Sequence, residues 1–230
     1  MRTILLQTDL VATEAVAAAE QTVDKLRVIE LLIKGGWIMI PIILLGIIGI
    51  YIFIERYLVI QRSTKIDDNF MNKIRDLVIG GNIEGARSIC MTKDSPVARM
   101  MEKGISRIGN PLKDISTSVE NVANLEVFKL EKRLATLGTI SGAAPMIGFL
   151  GTVTGMIEAF YKLSKAGGNN IDPQALSGGI YEAMVTTASG LAVGILAFIG
   201  YNILSSMIKK VVFKMEATAV EFIDVLHEPI

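Results

Sequence analysis

The chain has 230 residues, 51% of them hydrophobic and only 20% charged, and a mean hydropathy of +0.49; a soluble protein of this size is ordinarily more polar. Its 23 basic residues balance 23 acidic ones, so no net field points to nucleic acid. One cysteine, Cys90, and one histidine, His227, leave too few parts for a disulfide framework, a Cys-rich metal site, a Ser-His-Asp triad or a haem pocket. Cys90 reads as a small buried thiol and His227 as a solvated tail residue. With no nucleophile–base pair visible either, no cofactor and no enzyme activity are expected.

Residues 1–34 lack a strong apolar core. Their middle, DLVATEAVAAAEQTVDKLRVIELLIK, spaces apolar residues helically and predicts an amphipathic helix lying at a membrane surface. Three uncharged windows follow: 35–54 (GGWIMIPIILLGIIGIYIFI) with 20 residues, 134–157 (LATLGTISGAAPMIGFLGTVTGMI) with 24, and 183–208 with 26. A helix needs about 20 apolar residues to cross roughly 30 Å of hydrocarbon, so each window is long enough. The expected fold is an all-α membrane protein with three transmembrane helices, at about 35–54, 134–157 and 175–203. Residues 35–230 form one domain behind the N-terminal segment. The first window starts too late and runs too long for a cleaved signal peptide.

Between the first two windows, residues 55–133 are polar and helical in pattern. Phe70, Ile74 and Leu77 make one stripe in 67–79, and GGN at 80–82 breaks it. Helices are predicted over 83–91 and 97–108, with DSP at 94–96 as turn and cap. From about Pro111 no Pro or Gly occurs until Gly138, which predicts one helix running from the loop into the second span. The apolar pattern after Lys209 likewise continues the third span into the tail, 204–230. These two spans are therefore expected to project into the cytoplasm as long rods.

Basic residues set the orientation. Fourteen lie in the 55–133 loop and three, Lys209, Lys210 and Lys214, in the tail, against six on the opposite side. The flanks agree: Arg56, Arg62 and Lys65 follow the first window, and Lys129, Lys132 and Arg133 precede the second. Positive residues stay inside, so the N-terminus is expected in the periplasm and the C-terminus in the cytoplasm.

The first window is bulky and suits lipid, with Trp37, Tyr51 and Tyr57 as an interfacial belt. The other two are rich in small residues. Gly138 and Gly142, Gly151 and Gly155, and Gly190 and Gly194 are each four apart, with Gly148 close by, a spacing that lets helices approach closely inside a bilayer. Hydroxyls are scattered among them: Thr139, Ser141, Thr152, Thr154, Thr186, Thr187 and Ser189. Each can bond back to its own helix; as a set they suggest a wettable interior.

Glu182 heads the third window, and no further charge follows until Lys209. Glu182, Thr186, Ser189 and Val193 fall on one helical face. A carboxylate among lipid tails costs several kcal/mol, and intramembrane acids mark functional sites by default. No Lys or Arg lies in any span to pair with it. Burial favours the neutral form of a carboxyl, so one expectation is a group that binds and releases a proton, facing a cavity between helices. The other is an interfacial acid at the outer mouth, where Glu158, near Lys162, fits well.

The stretches APMIGFLGTVTGMIEAF (144–160), GGIYEAMVTTASGLAVGILAFIGYN (178–202) and GGWIMIPIILLGIIGIYIFIERYLVI (35–60) resemble the three spans of the MotA/TolQ/ExbB proton-channel family, and the pattern is closest to its ExbB branch. SPVARMMEKGI (95–105) and LEKRLATLGTI (130–140) add matches in the loop. The resemblance implies a homopentamer whose second and third spans line a pore holding the helices of an ExbD- or TolR-like single-span partner. It implies that proton flow drives motion passed on to a TonB- or TolA-like protein. It places the third-span glutamate of the family on Glu182, its two pore threonines on Thr152 and Thr187, and a polar Asn on Asn202. Glu158 departs from the neutral residue common in ExbB relatives. Residues 1–34 fall outside the resemblance.

Overall fold

The computed structural model describes residues 36–64, 69–165 and 173–227; the amphipathic helix expected in 1–34 lies outside them. The described residues form seven α-helices joined by turns, with no β-strand: α1 Met39–Thr64, α2 Phe70–Ile79, α3 Ile83–Thr92, α4 Pro96–Ile105, α5 Leu112–Glu131, α6 Leu134–Lys165 and α7 Pro173–His227. Three stretches are long and apolar enough to cross a membrane: Met39–Ser63, Leu112–Lys165 and Leu176–His227. Only 22%, 22% and 28% of their most apolar windows is buried inside the chain. Ile40, Leu44, Ile47, Tyr51 and Ile54 of α1 all face outward. Water penalises such surface at about 25 cal/mol per Å², and hydrocarbon does not. The fold is thus an all-α membrane protein with three candidate spanning helices.

The chain divides into two compact units. One joins the residues up to Pro41 to Ile147–Ser189, and the other joins Ile42–Met146 to Gly190–Ile230. The second holds the hydrophobic core. Phe70, Met71, Ile74 and Val78 of α2 are buried at helical spacing, and α4 buries most of its length. They meet Ile115 and Val119 of α5 and Val211, Met215 and Phe222 of α7 in one cluster. Gly104 lets α4 close on this cluster, since a Cβ there would stand 2.6 Å from the Phe222 ring and 2.8 Å from Val119.

Local chemistry explains the short helices. Gly80 and Gly81 end α2, Gly81 with φ +72°. Asn82 then starts α3 by accepting a hydrogen bond from the Gly85 amide at 2.9 Å. Ser95 caps α4 in the same way, accepting from the Ala98 amide at 3.2 Å, and Pro96 takes the first helical position, where its missing amide costs nothing.

α7 continues without a break from the third window into the tail, as the sequence predicts. Its 55 residues, at about 1.5 Å each, exceed twice the thickness of a bilayer core. The single helix expected from Pro111 into the second window is instead two. α5 ends at Glu131, and α6 starts at Leu134. Lys132 at φ −50°, ψ 132° and Arg133 at φ +66° make the turn between them. These angles are those of a type II turn, which normally demands Gly at its second central position.

Side chains from α1 explain the break. Arg56, itself buried, donates through Nη1 to the Lys129 carbonyl at 3.2 Å, one of the carbonyls left open at the end of α5. Arg56 also pairs with Glu55 at 3.0 Å, and Glu55 pairs in turn with Arg133. One turn back on α5, the buried Glu126 accepts from Lys129 and from Arg99 of α4, each at 2.6 Å. Burying a carboxylate is tolerable because two cations face it.

Candidate functional site

The first unit brings together the turn before α1, the second half of α6 and the first part of α7. Small residues make its seam. A Cβ on Gly155 would stand 3.1 Å from the Ala183 methyl, and one on Gly179 would stand 2.9 Å from the Ala159 methyl. A Cβ on Gly151 would lie 2.5 Å from Thr186 Oγ1 and 3.4 Å from Ile38. Gly148, Gly151, Gly155 and Ala159 thus form one row on α6 and Gly179, Ala183 and Thr186 the facing row on α7. Where burial from water supplies no drive, such close approach allows dispersion contacts to hold helices together.

Glu182 sits at this seam, partly buried. The backbone of Gly36 lies against its carboxylate so closely that a Cβ on Gly36 would overlap it and stand 2.9 Å from Cδ. Lys162 of α6 is within electrostatic range of Glu182 and pairs with Glu158 at 2.8 Å; both partners of that pair are exposed. Glu182 is therefore grouped with the charged end of α6, next to the residues that open α1.

The hydroxyls divide by what they bond. Thr187 Oγ1 donates across the seam to the Gly148 carbonyl of α6 at 2.9 Å. Thr152 donates to its own helix, at the Phe149 carbonyl, 2.6 Å away. Thr154 does so at Leu150, 3.0 Å away. Thr186 is buried, with its hydroxyl on the Ala183 carbonyl at 2.8 Å. Ser189 is partly buried. Glu182, Thr186, Thr187, Ser189 and Thr152 all belong to this unit. Asn202 belongs to the other, exposed, with its amide on the Phe198 carbonyl at 2.8 Å.

In the second unit Gly190 is buried. Gly194 lies against the ring of Pro145, which stands inside α6 without an amide to donate; a Cβ there would stand 2.7 Å from the proline Cδ. Among the described residues no group of three or more His, Cys, Asp or Glu side chains is placed to hold a metal ion.

Sequence reasoning did not single out Gly36 as a neighbour of Glu182, nor Glu55 and Arg56 as the groups that break α5 from α6. The glycine doublet before Trp37 was the available signal for the first. For the second, the charged pair closing the first window was legible, but not its reach.

A polytopic helical membrane protein with one carboxylate at a seam of glycines and threonines is the class that fold and site define. Residues 92–217 match the MotA/TolQ/ExbB proton channel family. A biopolymer transport protein designated ExbB-like 1, from Synechocystis, is 30% identical over 188 residues, covering 79% of this chain and 72% of that protein. Biopolymer transport protein ExbB of Xanthomonas campestris is 32% identical over 105 residues, 46% of this chain and 41% of its own. Tol-Pal system protein TolQ of Haemophilus influenzae is 36% identical over 104 residues, 45% of each. The chain belongs to the MotA/TolQ/ExbB proton channel family.

Proposed function

We propose that this chain is the proton-pathway subunit of an inner-membrane motor of the ExbB type, driven by the proton motive force. The observation that carries this reading is the placement of Glu182: one carboxylate at a close-packed seam of two apolar helices, beside a threonine that bonds across that seam. Glu182 takes up and releases the proton. Thr152, Thr186, Thr187, Ser189 and Asn202 offer hydroxyls and an amide along the path. A charge crossing the membrane yields about 2.3 kcal/mol per 100 mV, and a ring of tightly packed helices gives that work a rigid frame.

Copies of the chain form a homo-oligomer, a pentamer by family likeness, around an ExbD-like single-span partner. The partner supplies the second acid that the spans of this chain lack. It passes force to a TonB-like protein for outer-membrane transport. The N-terminus is periplasmic, and α5 and the extension of α7 lie in the cytoplasm. A second reading has its own support: the TolQ relative is the more identical of the two shorter matches. In that reading the partners are TolR- and TolA-like and the service is envelope integrity.

The test is a deletion strain complemented with wild type or Glu182→Gln at matched expression, scored for growth on chelated iron and for detergent sensitivity. The variant is expected to assemble and fail, and the phenotype that fails names the branch. Full activity of the variant overturns both readings and leaves a passive oligomeric scaffold.

A further inference from the structure

Building on the reading of Glu182 as the proton-binding group, we infer that Gly36 is a positioning residue: the turn it makes ahead of α1 is a seat for the Glu182 carboxylate and fixes where the acid exchanges its proton. Gly36 holds φ +63°, a conformation that L side chains rarely adopt and glycine adopts freely. Its missing side chain is what admits the carboxylate, because a Cβ there would overlap the acid.

The turn cannot easily retreat. Ile38, two residues on, is buried and lies against Gly151 of α6, where Thr186 of α7 packs onto the same glycine beside it. The carboxylate can move, since it is the far end of a side chain with several rotatable bonds. A methyl group at position 36 therefore expels the carboxylate from its seat and leaves the helices in place. Among the described residues Lys162 of α6 is within electrostatic range of the seated acid, and Glu158 pairs with that lysine. An expelled carboxylate changes its distance to both, so the pH profile of uptake registers its displacement.

The structure supplies its own control. Gly81 is also left-handed, at φ +72°, with nothing within 4 Å of an added Cβ. Alanine there carries the same backbone penalty without touching Glu182.

The experiment uses the full chain in membrane vesicles from a complemented deletion strain. Initial proton uptake under an imposed gradient is followed across external pH, and the rate at which a carbodiimide labels Glu182 is followed by mass spectrometry. Gly36→Ala is expected to slow uptake about tenfold to a hundredfold, as misplacement of a reacting group by an ångström does, and to shift the pH midpoint and the labelling rate. Gly81→Ala is expected to match wild type in all three. Adding Glu182→Asp to Gly36→Ala, which shortens the acid by one methylene, is expected to restore part of the uptake, although Glu182→Asp alone lowers it. Where Gly36→Ala fails to accumulate, Gly36→Asn, which tolerates the left-handed conformation better, takes its place.

Wild-type uptake, midpoint and labelling in the Gly36 variant overturn the seat. So does equal impairment by Gly81→Ala, or the absence of any rescue by the shorter acid. If Glu182→Gln itself conducts like wild type, the reading of Glu182 as proton carrier fails. If Glu182→Gln is silent while the Gly36 variant is normal, only the seat fails.

Discussion

Cys90 is enclosed on α3, and burial, with the nearby Glu102 adding to it, pushes its thiol from 9.0 up to about 12. The thiolate is the reactive form, so in the folded protein Cys90 is expected to resist iodoacetamide at pH 8 and to react once the chain is unfolded in denaturant. The sign for stability follows from linkage. The folded state holds the proton more tightly than the unfolded state, so this contribution is complete below pH 9 and is lost as pH rises toward 12. Rapid native alkylation, read by mass spectrometry, contradicts the burial. Glu182 and the residue that seats it differ in how far a pattern reveals them. The acid was legible because it stands alone above a long uncharged run. Its neighbour Gly36 was not, since only folding brings the opening of α1 to the early part of α7.

At the scale of elements, the turn between α5 and α6 is where local and distant causes part. Nothing in KRLATL breaks a helix by propensity. The break depends on Arg56 and Glu55, 73 and 78 positions from the groups they bind, and contacts that remote leave no mark in a local pattern. The end of α2 and the starts of α3 and α4 were legible, because Gly80, Gly81, Asn82, Ser95 and Pro96 act on their own backbone, whereas α4 stops at Ile105, short of the expected 108. Removing Arg56 as Arg56→Leu leaves the Lys129 carbonyl and Glu55 each short of a donor. It is expected to cost about 2 kcal/mol, read as a lower thermal midpoint in detergent. Arg133→Gly trades an exposed ion pair for relief of the left-handed strain and is expected to stay within about 1 kcal/mol of wild type. A marked loss in Arg133→Gly with none in Arg56→Leu reverses this assignment of causes.

For the whole molecule, the three apolar helices and the basic flanks were legible because a bilayer imposes simple requirements on length and charge. The proposed topology places the α6–α7 connection outside and the α4–α5 region inside. Ser164 and Ser106 are both exposed, so Ser164→Cys and Ser106→Cys, each in a Cys90→Ser background, report the two sides. A membrane-impermeant maleimide added to intact spheroplasts is expected to label the first and to reach the second only after permeabilisation. The opposite pattern inverts the chain and with it the direction of the proton path.

Whether Glu182 carries the proton is read from proton flux. Vesicles holding equal amounts of assembled wild type or Glu182→Gln, with the native partner present, are given an imposed pH gradient and followed with a pH-sensitive dye. Wild type is expected to conduct, and Glu182→Gln to fall to the level of vesicles lacking the chain. Equal flux through the two leaves Glu182 as an acid at the mouth of the seam with no part in moving protons.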